Sequence, residues 1–184
     1  MQDGFIRVAA ATPLIRVADV RHNHDRILSL IREAAGQQAS LIVFPELCLT
    51  GYTCSDLFLS RTLQDAAVVA LLDLLQETAD LDTVCVVGLP VAHGQNLFNA
   101  AAVFQRGQLL GLVPKTHVPN YAEFYELRHF TPGAEPVVQP GAAAADDGGL
   151  CKVGNLAVPF GTDLLFSCRE IPEFCLAIEI CEDL

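Results

Sequence analysis

The sequence predicts an α/β fold in which strands and helices alternate at first and antiparallel strands follow. Three observations indicate this class: short apolar runs of strand length, amphipathic stripes of helical period between them, and a hairpin pattern after Pro90. The chain has 184 residues and 52% of them are hydrophobic, which is enough for one substantial core. We therefore expect one globular domain, or part of a larger one.

The first predicted unit is a strand, a helix and a strand. Ile6 to Ala11 is an apolar run of strand length, and Pro13 ends it. Asp19 is a suitable helix N-cap, an apolar stripe of helical spacing follows it, and Gly36 stands near the end of that stripe. Ser40 to Phe44 is apolar and β-branched, which is typical of a buried strand.

The same pattern then repeats and changes to antiparallel pairing. A second helical stripe runs from Leu63 to Leu75, and Thr83 to Val87 is a third apolar run of strand length. Leu97 to Phe104 and Leu109 to Val113 flank the turn Arg106-Gly107, so together they predict a hairpin.

The second half of the chain is less regular. Residues 114 to 135 are rich in proline and aromatic side chains, and a loop of that length is uncommon unless it serves a function. Gly141 to Gly149 is low in complexity and predicts a flexible surface connection. Strands are predicted again at Cys151–Val158 and Phe174–Ile180. The chain stops at Leu184 without a closing element, so we expect further protein to follow.

The charge balance disfavours two classes of partner. The chain carries 22 acidic and 11 basic residues, a formal charge of −11, and no cluster of lysine and arginine. Nucleic acids and anionic membranes are therefore poor partners. The N-terminal MQDGFIRVAA has the pattern of neither a signal peptide nor a spanning helix, so we expect a cytoplasmic protein.

The cysteines and histidines do not predict a metal site. The seven cysteines form no CxxC pair and their odd number does not suit a disulfide framework, so we expect reduced thiols. Six of them are predicted to be small buried hydrophobic residues, and Cys181 is the exception. The five histidines are scattered along the chain.

Three charged or reactive side chains come next to apolar strand-like runs. Glu46 follows Pro45, which cannot continue a central strand; Lys115 follows LGLVP; Cys181 follows Phe174–Ile180. The carboxyl ends of strands present such side chains at the rim of a sheet. Taken singly, each of Glu46 and Lys115 is better explained as an ordinary surface residue, and this holds more strongly for Lys115.

Together these three side chains supply the parts that amide cleavage needs. The reaction requires a nucleophile, a group that takes and returns its proton, and a positive partner for the oxyanion. A thiol with a pKa near ~8.5 is mostly protonated at neutral pH, and a nearby ammonium favours the thiolate. Cys181, Glu46 and Lys115 fit these roles in that order.

Four segments carry a resemblance to a known family. They are FPELCLTGY (44–52), VPKTHVPNYAEFYELRHFTPG (113–133), PFGTDLLF (159–166) and EICEDL (179–184). In this order they resemble the nitrilase, or carbon–nitrogen hydrolase, superfamily. The segments PNYAEFYELRHF and FGTDLLF and the acidic CED resemble most closely the N-terminal glutaminase domains of glutamine-dependent NAD synthetases.

This resemblance implies the fold and the catalytic residues. The fold is a four-layer α-β-β-α sandwich, and residues 1–184 form a nitrilase-like glutaminase domain that is incomplete at its C-terminal end, after the strand of the nucleophile. Glu46, Lys115 and Cys181 are the implied catalytic triad. The connection Gly141–Gly149 looks longer than the family needs and suggests a surface insertion.

The resemblance also implies a set of substrate contacts. Glu126 corresponds to a second glutamate that supports the lysine, and Tyr121 to a tyrosine that contacts glutamine. Tyr52 and Phe124 correspond to pocket walls, although packing of a long aromatic loop explains them equally well. Glu182, with Asp183, either caps the chain after the strand or reads the substrate's α-amino group.

The implied reaction is glutamine hydrolysis through a cysteine thioester. The released ammonia would serve an ATP-dependent synthetase domain of the same polypeptide, which amidates nicotinate adenine dinucleotide to NAD. ATP and Mg²⁺ are implied for that domain, and no cofactor or metal for this one. The expected partners are L-glutamine, the synthetase domain and further copies of the chain in a homo-oligomer.

Two alternative functions remain at this point. The first is a free-standing amidase of the nitrilase superfamily that acts on another small amide. The second is a catalytically silent module of the same fold that binds a partner.

Overall fold

A computed structural model describes residues 5–134 and 149–184. The predicted connection Gly141–Gly149 lies outside the described residues, apart from Gly149 itself. In these ranges there are two α-helices and nine strands, namely β1 (Val8–Ala10), α1 (Val20–Gly36), β2 (Leu41–Val43), α2 (Arg61–Glu77), β3 (Val84–His93), β4 (Asn96–Gln105), β5 (Gln108–Pro114), β6 (Leu150–Val153), β7 (Leu156–Pro159), β8 (Phe166–Ser167) and β9 (Cys175–Leu176). Three short 3₁₀ helices accompany them in the same ranges.

A five-stranded mixed sheet is the centre of the fold. Its strand order is β1-β2-β3-β4-β5, with parallel pairing from β1 to β3 and antiparallel pairing from β3 to β5. The helices α1 and α2 make the two crossovers that parallel pairing requires. The predicted α/β class is therefore confirmed.

Both helices cover one face of this sheet. Asp19 caps α1 by accepting a hydrogen bond from the backbone N–H of His22 at 3.1 Å. The buried stripe of α1 includes Ile27 and Ile31, and α2 buries Leu71 and Leu74 in the same cluster. The helical spacing in the sequence thus predicted the core-facing sides of both helices correctly.

The opposite face of the sheet packs on the C-terminal part of the chain. Leu41, Val86 and Val103 form a second buried cluster with Ile180, and Phe166 of β8 packs against it. Alternate residues of a strand point to opposite faces, which is why β2, β3 and β4 each contribute buried residues to both clusters. The order of layers is therefore helices, sheet and the C-terminal segment with β8 and β9, which corresponds to three layers of the expected four-layer nitrilase-like sandwich.

The β3–β4–β5 meander is longer than the sequence predicted. The turn Arg106-Gly107 has positive φ angles of 48° and 74°, as a two-residue hairpin turn requires. β3 continues through Pro90 to His93, whereas the prediction ended it at Val87. Its pairing with β2 ends at Val86, so Pro90 lies on an edge where no ladder hydrogen bond is lost.

Two of the predicted strands were wrong in extent. Cys151–Val158 is a hairpin of β6 and β7 that turns at Gly154, which has a φ of 59°. Of Phe174–Ile180 only Cys175–Leu176 is a strand, because β8 offers it just two residues for pairing. An apolar run becomes a strand only where a neighbour supplies hydrogen bonds.

All seven cysteines are free, as predicted, but not all of the predicted six are buried. Cys168 is half-buried and Cys175 is exposed, because both lie in the short β8–β9 region at the surface. Burial raises the pKa of Cys48 and of Cys85 to about 12, so neither thiol is reactive. No helix of the described part of the chain is long and apolar enough to cross a membrane.

Candidate active site

Glu46 stands in a tight turn directly after the second strand. Phe44 continues the ladder by donating to the carbonyl of Val86 at 3.0 Å, and Leu49 donates to the carbonyl of Gly88 at 3.1 Å. A Cβ atom on Gly88 would lie 2.4 Å from the backbone nitrogen of Leu47. The turn that carries Glu46 therefore rests on β3 at a point where glycine alone fits.

Lys115 follows β5 directly and is fully buried, with 0% of its side chain exposed. Its backbone N–H donates to the carbonyl of Asn99 at 2.8 Å, and its carbonyl accepts from Gly133 at 2.7 Å. Its Nζ lies 2.7 Å from Oε1 of Glu46 and 3.0 Å from Oε2 of Glu126. Lys115 is thus not a surface residue but the centre of a buried charged cluster.

The two carboxylates hold Lys115 in its charged form. Burial alone lowers the pKa of Lys115, but the hydrogen bonds and charges of Glu46 and Glu126 outweigh it and leave the pKa raised above 10.5. The Glu46 side chain is 18% exposed and that of Glu126 is 7% exposed. The cluster is therefore largely shielded from water, with Glu46 on its more open side.

Tyr52 completes the cluster on the side of Glu126. Its hydroxyl donates a hydrogen bond to Oε1 of Glu126. Burial raises the pKa of Tyr52, and the hydrogen bond to Glu126 and the charges of Glu126, Glu46 and Cys181 raise it further. The phenol therefore remains a protonated donor, and Cys181 lies within electrostatic reach of it.

Asn99 is a member of the site that sequence reasoning missed. Its Nδ2 donates to Oε1 of Glu46, the same oxygen that Lys115 contacts, and the residue is 1% exposed. Its own Oδ1 is buried and has no hydrogen-bond partner in residues 5–134 and 149–184. One available signal was a polar residue inside the apolar run LFNAAAVF, where burial demands a partner.

Cys181 lies at the surface on a strained turn. It begins a short 3₁₀ turn, Cys181–Asp183, and has a φ of 56°, an uncommon value for a residue with a side chain. Within the described ranges no hydrogen bond joins its Sγ to Glu46 or Lys115. Asp183 instead links this turn to the backbone that follows Lys115.

The other predicted contact residues form two groups. Tyr121 donates a hydrogen bond to Oε1 of Glu182, and the ring of Phe124 meets that of Tyr121 edge-on at 5.8 Å. Tyr52, Phe124 and Glu126 line a cavity of about 240 Å³ whose other walls are mainly apolar. Cys181 is not among the described residues that line this cavity, so its thiol is not part of the cavity wall.

No metal centre accompanies this arrangement in the part of the chain that the structure describes: no group of three or more His, Cys, Asp or Glu side chains there could hold an ion. The polar groups of the site are a buried ammonium, which lies between two carboxylates, and the thiol of Cys181 on a separate turn. A cysteine, a carboxylate and an ammonium are the groups that amide cleavage through a covalent intermediate uses.

The family model for carbon–nitrogen hydrolases matches residues 7–184. The chain therefore belongs to the carbon–nitrogen hydrolase family, and the resemblance in its sequence motifs is confirmed.

The relatives of known sequence indicate a more specific likeness. The glutamine-dependent NAD(+) synthetase of Mycobacterium bovis is 44% identical over 185 residues, which is 100% of this chain and 25% of the relative. That of Thermotoga maritima is 31% identical over 153 residues, 83% of this chain and 24% of the relative. The chain thus spans about a quarter of the length of these relatives.

Solved structures agree with this likeness. A glutamine-dependent NAD(+) synthetase from Cytophaga hutchinsonii superimposes with a TM-score of 0.76 at 26% identity, over 90% of this chain and 26% of that one. An amidase from Nesterenkonia sp. superimposes with a TM-score of 0.59 at 26% identity, over 71% of this chain and 49% of that one.

Proposed function

We propose that this chain is the glutamine-hydrolysing part of a glutamine-dependent NAD synthetase. The observation that carries the proposal is the ion-pair cluster: Lys115 Nζ lies 2.7 Å from Oε1 of Glu46 and is buried beside it. The names of relatives that align with the whole chain support glutamine as the substrate. Their greater length supports a synthetase domain in the same polypeptide.

In the proposed first half-reaction Cys181 attacks the side-chain amide of glutamine. Asn99 and Lys115 both donate to Oε1 of Glu46, which leaves Oε2 to take the thiol proton as Sγ bonds to the amide carbon. Lys115 and backbone N–H groups stabilise the tetrahedral oxyanion. The C–N bond then breaks, and Glu46 returns the proton to the nitrogen, which leaves as ammonia.

The second half-reaction releases glutamate. A water molecule gives a proton to Glu46 and attacks the thioester carbonyl, the C–S bond breaks, and Sγ recovers the proton. Tyr121 and Glu182 are the proposed contacts of the substrate's polar end, and Tyr52 and Phe124 its pocket walls. Glu182 follows Cys181 in the chain and pairs with Tyr121, and Tyr52 and Phe124 line the cavity, which supports these roles.

The complete enzyme would pass the ammonia to a synthetase domain that uses ATP and Mg²⁺ to amidate nicotinate adenine dinucleotide. The assembly into a homo-oligomer and the cytoplasmic localisation stay predictions. Domain limits of 1–184 for the hydrolase part are likewise part of the proposal.

The test compares two nitrogen sources in the complete protein. Cys181→Ala should abolish NAD formation from glutamine and leave formation from ammonia unchanged, and Glu46→Gln should reduce glutamine use about 10²–10⁴-fold. Cys175→Ala, which removes an exposed thiol from the same segment, is the matched control and should match the unsubstituted protein. A protein that makes NAD from ammonia but never from glutamine would refute the proposal.

A free-standing amidase is the second candidate, and the superposition on the Nesterenkonia amidase supports it. The 44% identity to NAD synthetases across the whole chain favours the first candidate. The reading frame after Leu184 separates them: several hundred further residues with an ATP-pyrophosphatase loop fit a synthetase, and a stop after about a hundred fits an amidase.

A further inference from the structure

Asp183 connects two segments that lie far apart in the chain. Its Oδ1 accepts hydrogen bonds from the backbone N–H groups of Thr116 at 2.9 Å and His117 at 2.7 Å. Its Oδ2 accepts from the backbone N–H of Ile180 at 3.1 Å. The side chain is 6% exposed, so these bonds are shielded from competing water.

The three residues that donate hydrogen bonds to Asp183 are chain neighbours of the proposed nucleophile Cys181 and the proposed oxyanion partner Lys115. Thr116 and His117 come directly after Lys115, whereas Ile180 comes directly before Cys181. One carboxylate therefore fixes the backbone on both sides of the site.

The turn at Cys181 needs such an anchor. Its φ of 56° is unfavourable for a residue with a side chain, and such a conformation persists when the surrounding contacts hold it. The contacts of Asp183 with Ile180 and with the segment after Lys115 supply this restraint.

We propose that Asp183 is a positioning residue that sets the placement of the Cys181 thiol relative to the Lys115 ammonium. The inference rests on the proposed glutaminase function. Reacting groups must be held close to their productive geometry, and a displacement of about 1 Å can cost about 10²-fold in rate. Asp183 acts through the backbone and does not touch the substrate.

The chemistry of the side chain explains why an aspartate suits this position. Both carboxylate oxygens accept hydrogen bonds, and all three of its donors here are backbone N–H groups. The side chain of asparagine has one acceptor oxygen and an NH₂ group that can only donate. Asparagine can therefore keep the hydrogen bonds from Thr116 and His117 but not the one from Ile180. Glu182, its neighbour, instead pairs with Tyr121 and is the residue turned toward the proposed substrate contacts.

The experiment uses the complete protein with Asp183→Asn, Asp183→Ala and His117→Ala. The last variant is the matched control, because it removes the His117 ring, 3.5 Å from Oδ1, and keeps the backbone N–H. Ammonia release from glutamine is measured, and a glutamine-like diazo-ketone that alkylates Cys181 counts the competent sites. The turnover number is then expressed per alkylated site, which separates positioning from a loss of folded protein.

We expect Asp183→Ala to lower kcat per site about 10–100-fold, with KM within about threefold of the unsubstituted protein. Asp183→Asn should be intermediate and His117→Ala unchanged. Should Asp183→Ala fail to fold, Asp183→Asn carries the test.

Three results would overturn the proposal. They are an unchanged kcat per site in both Asp183 variants, a loss confined to the number of alkylated sites or to the melting temperature, and an equal loss in His117→Ala. By contrast, an unsubstituted protein that hydrolyses no glutamine would refute the proposed function itself, so the two failures are distinguishable.

Discussion

The ammonium of Lys115 lies 3.0 Å from Oε2 of Glu126, and both side chains are almost completely removed from solvent. A buried ion pair of this kind adds little net stability over a hydrophobic pair, but removal of one partner is costly. The further contact of Lys115 with Glu46 makes the lysine the single cation between two carboxylates within the cluster. Its loss therefore has consequences for both stability and chemistry.

The first prediction concerns the stability of this cluster. Lys115→Met should lower the free energy of unfolding by about 3–5 kcal/mol, because Glu46 and Glu126 are left without their cation. Urea denaturation at neutral pH measures the change. Lys152→Met, at an exposed position of β6, is the control and should stay within about 0.5 kcal/mol. Equal effects of the two substitutions would contradict the prediction.

The second prediction concerns pH. The pKa of Lys115 is raised above its ordinary value of 10.5, so its contribution to stability is fully present below pH 10.5 and is lost as the pH rises through the folded-state pKa. The difference in unfolding free energy between the unsubstituted protein and Lys115→Met should thus stay constant from about pH 7 to 10. A difference that shrinks between about pH 7 and 10 would show that burial has a larger effect on the pKa of Lys115 than the two carboxylates have.

The third prediction concerns the backbone under Glu46. Gly88→Ala should destabilise the protein by about 1–3 kcal/mol or more and reduce glutamine turnover, because its Cβ would meet the backbone of Leu47. Thermal unfolding and steady-state kinetics measure the two effects. Gly36→Ala is the control, since no heavy atom lies within 4 Å of its added Cβ. A Gly88→Ala protein with normal turnover would show that the turn can move without displacing Glu46.

The fourth prediction concerns Asn99. Asn99→Ala removes a donor to Oε1 of Glu46 and should lower kcat about 10–100-fold, the equivalent of about 1.5–3 kcal/mol for a hydrogen bond to a charged group. Asn99→Asp should lose more, because it places a second carboxylate beside the first. Asn155→Asp makes the same charge change at an exposed position and is the control. Full activity of the Asn99→Asp protein would show that the hydrogen bond from Asn99 to Glu46 does not contribute to turnover.

Periodicity predicted the regular part of the fold well. The stripe with Ile27 and Ile31 and the run Ser40–Phe44 have clear periods, and the structure shows the predicted helix and strand there. The run Phe174–Ile180 has similar apolar content, yet only Cys175–Leu176 is a strand. A strand depends on a partner elsewhere in the chain, and a local pattern does not report whether that partner is present.

The sequence predicted the charged residues of the candidate site at the ends of strands, but it did not predict the hydrogen bonds that connect them to other parts of the chain. Glu46 and Lys115 follow apolar runs, so their placement at strand ends followed from the sequence, and the structure brings them together. Asn99 gave only the signal of a polar residue inside an apolar run, and the sequence did not show the partner of Asn99 or of Asp183, because each forms hydrogen bonds to groups far away in the chain. Such pairings depend on register and packing rather than on neighbouring residues.

The sequence by itself determined the α/β class, the core-facing stripes of both helices and the family motifs, because these depend on period and composition over short distances. The tertiary structure decided that Lys115 is buried between Glu46 and Glu126 and that Asp183 joins the turn of Cys181 to the backbone after Lys115. The physical reason is that a charge leaves water only where opposite charges from distant segments meet it, and only the folded sheet brings those segments together.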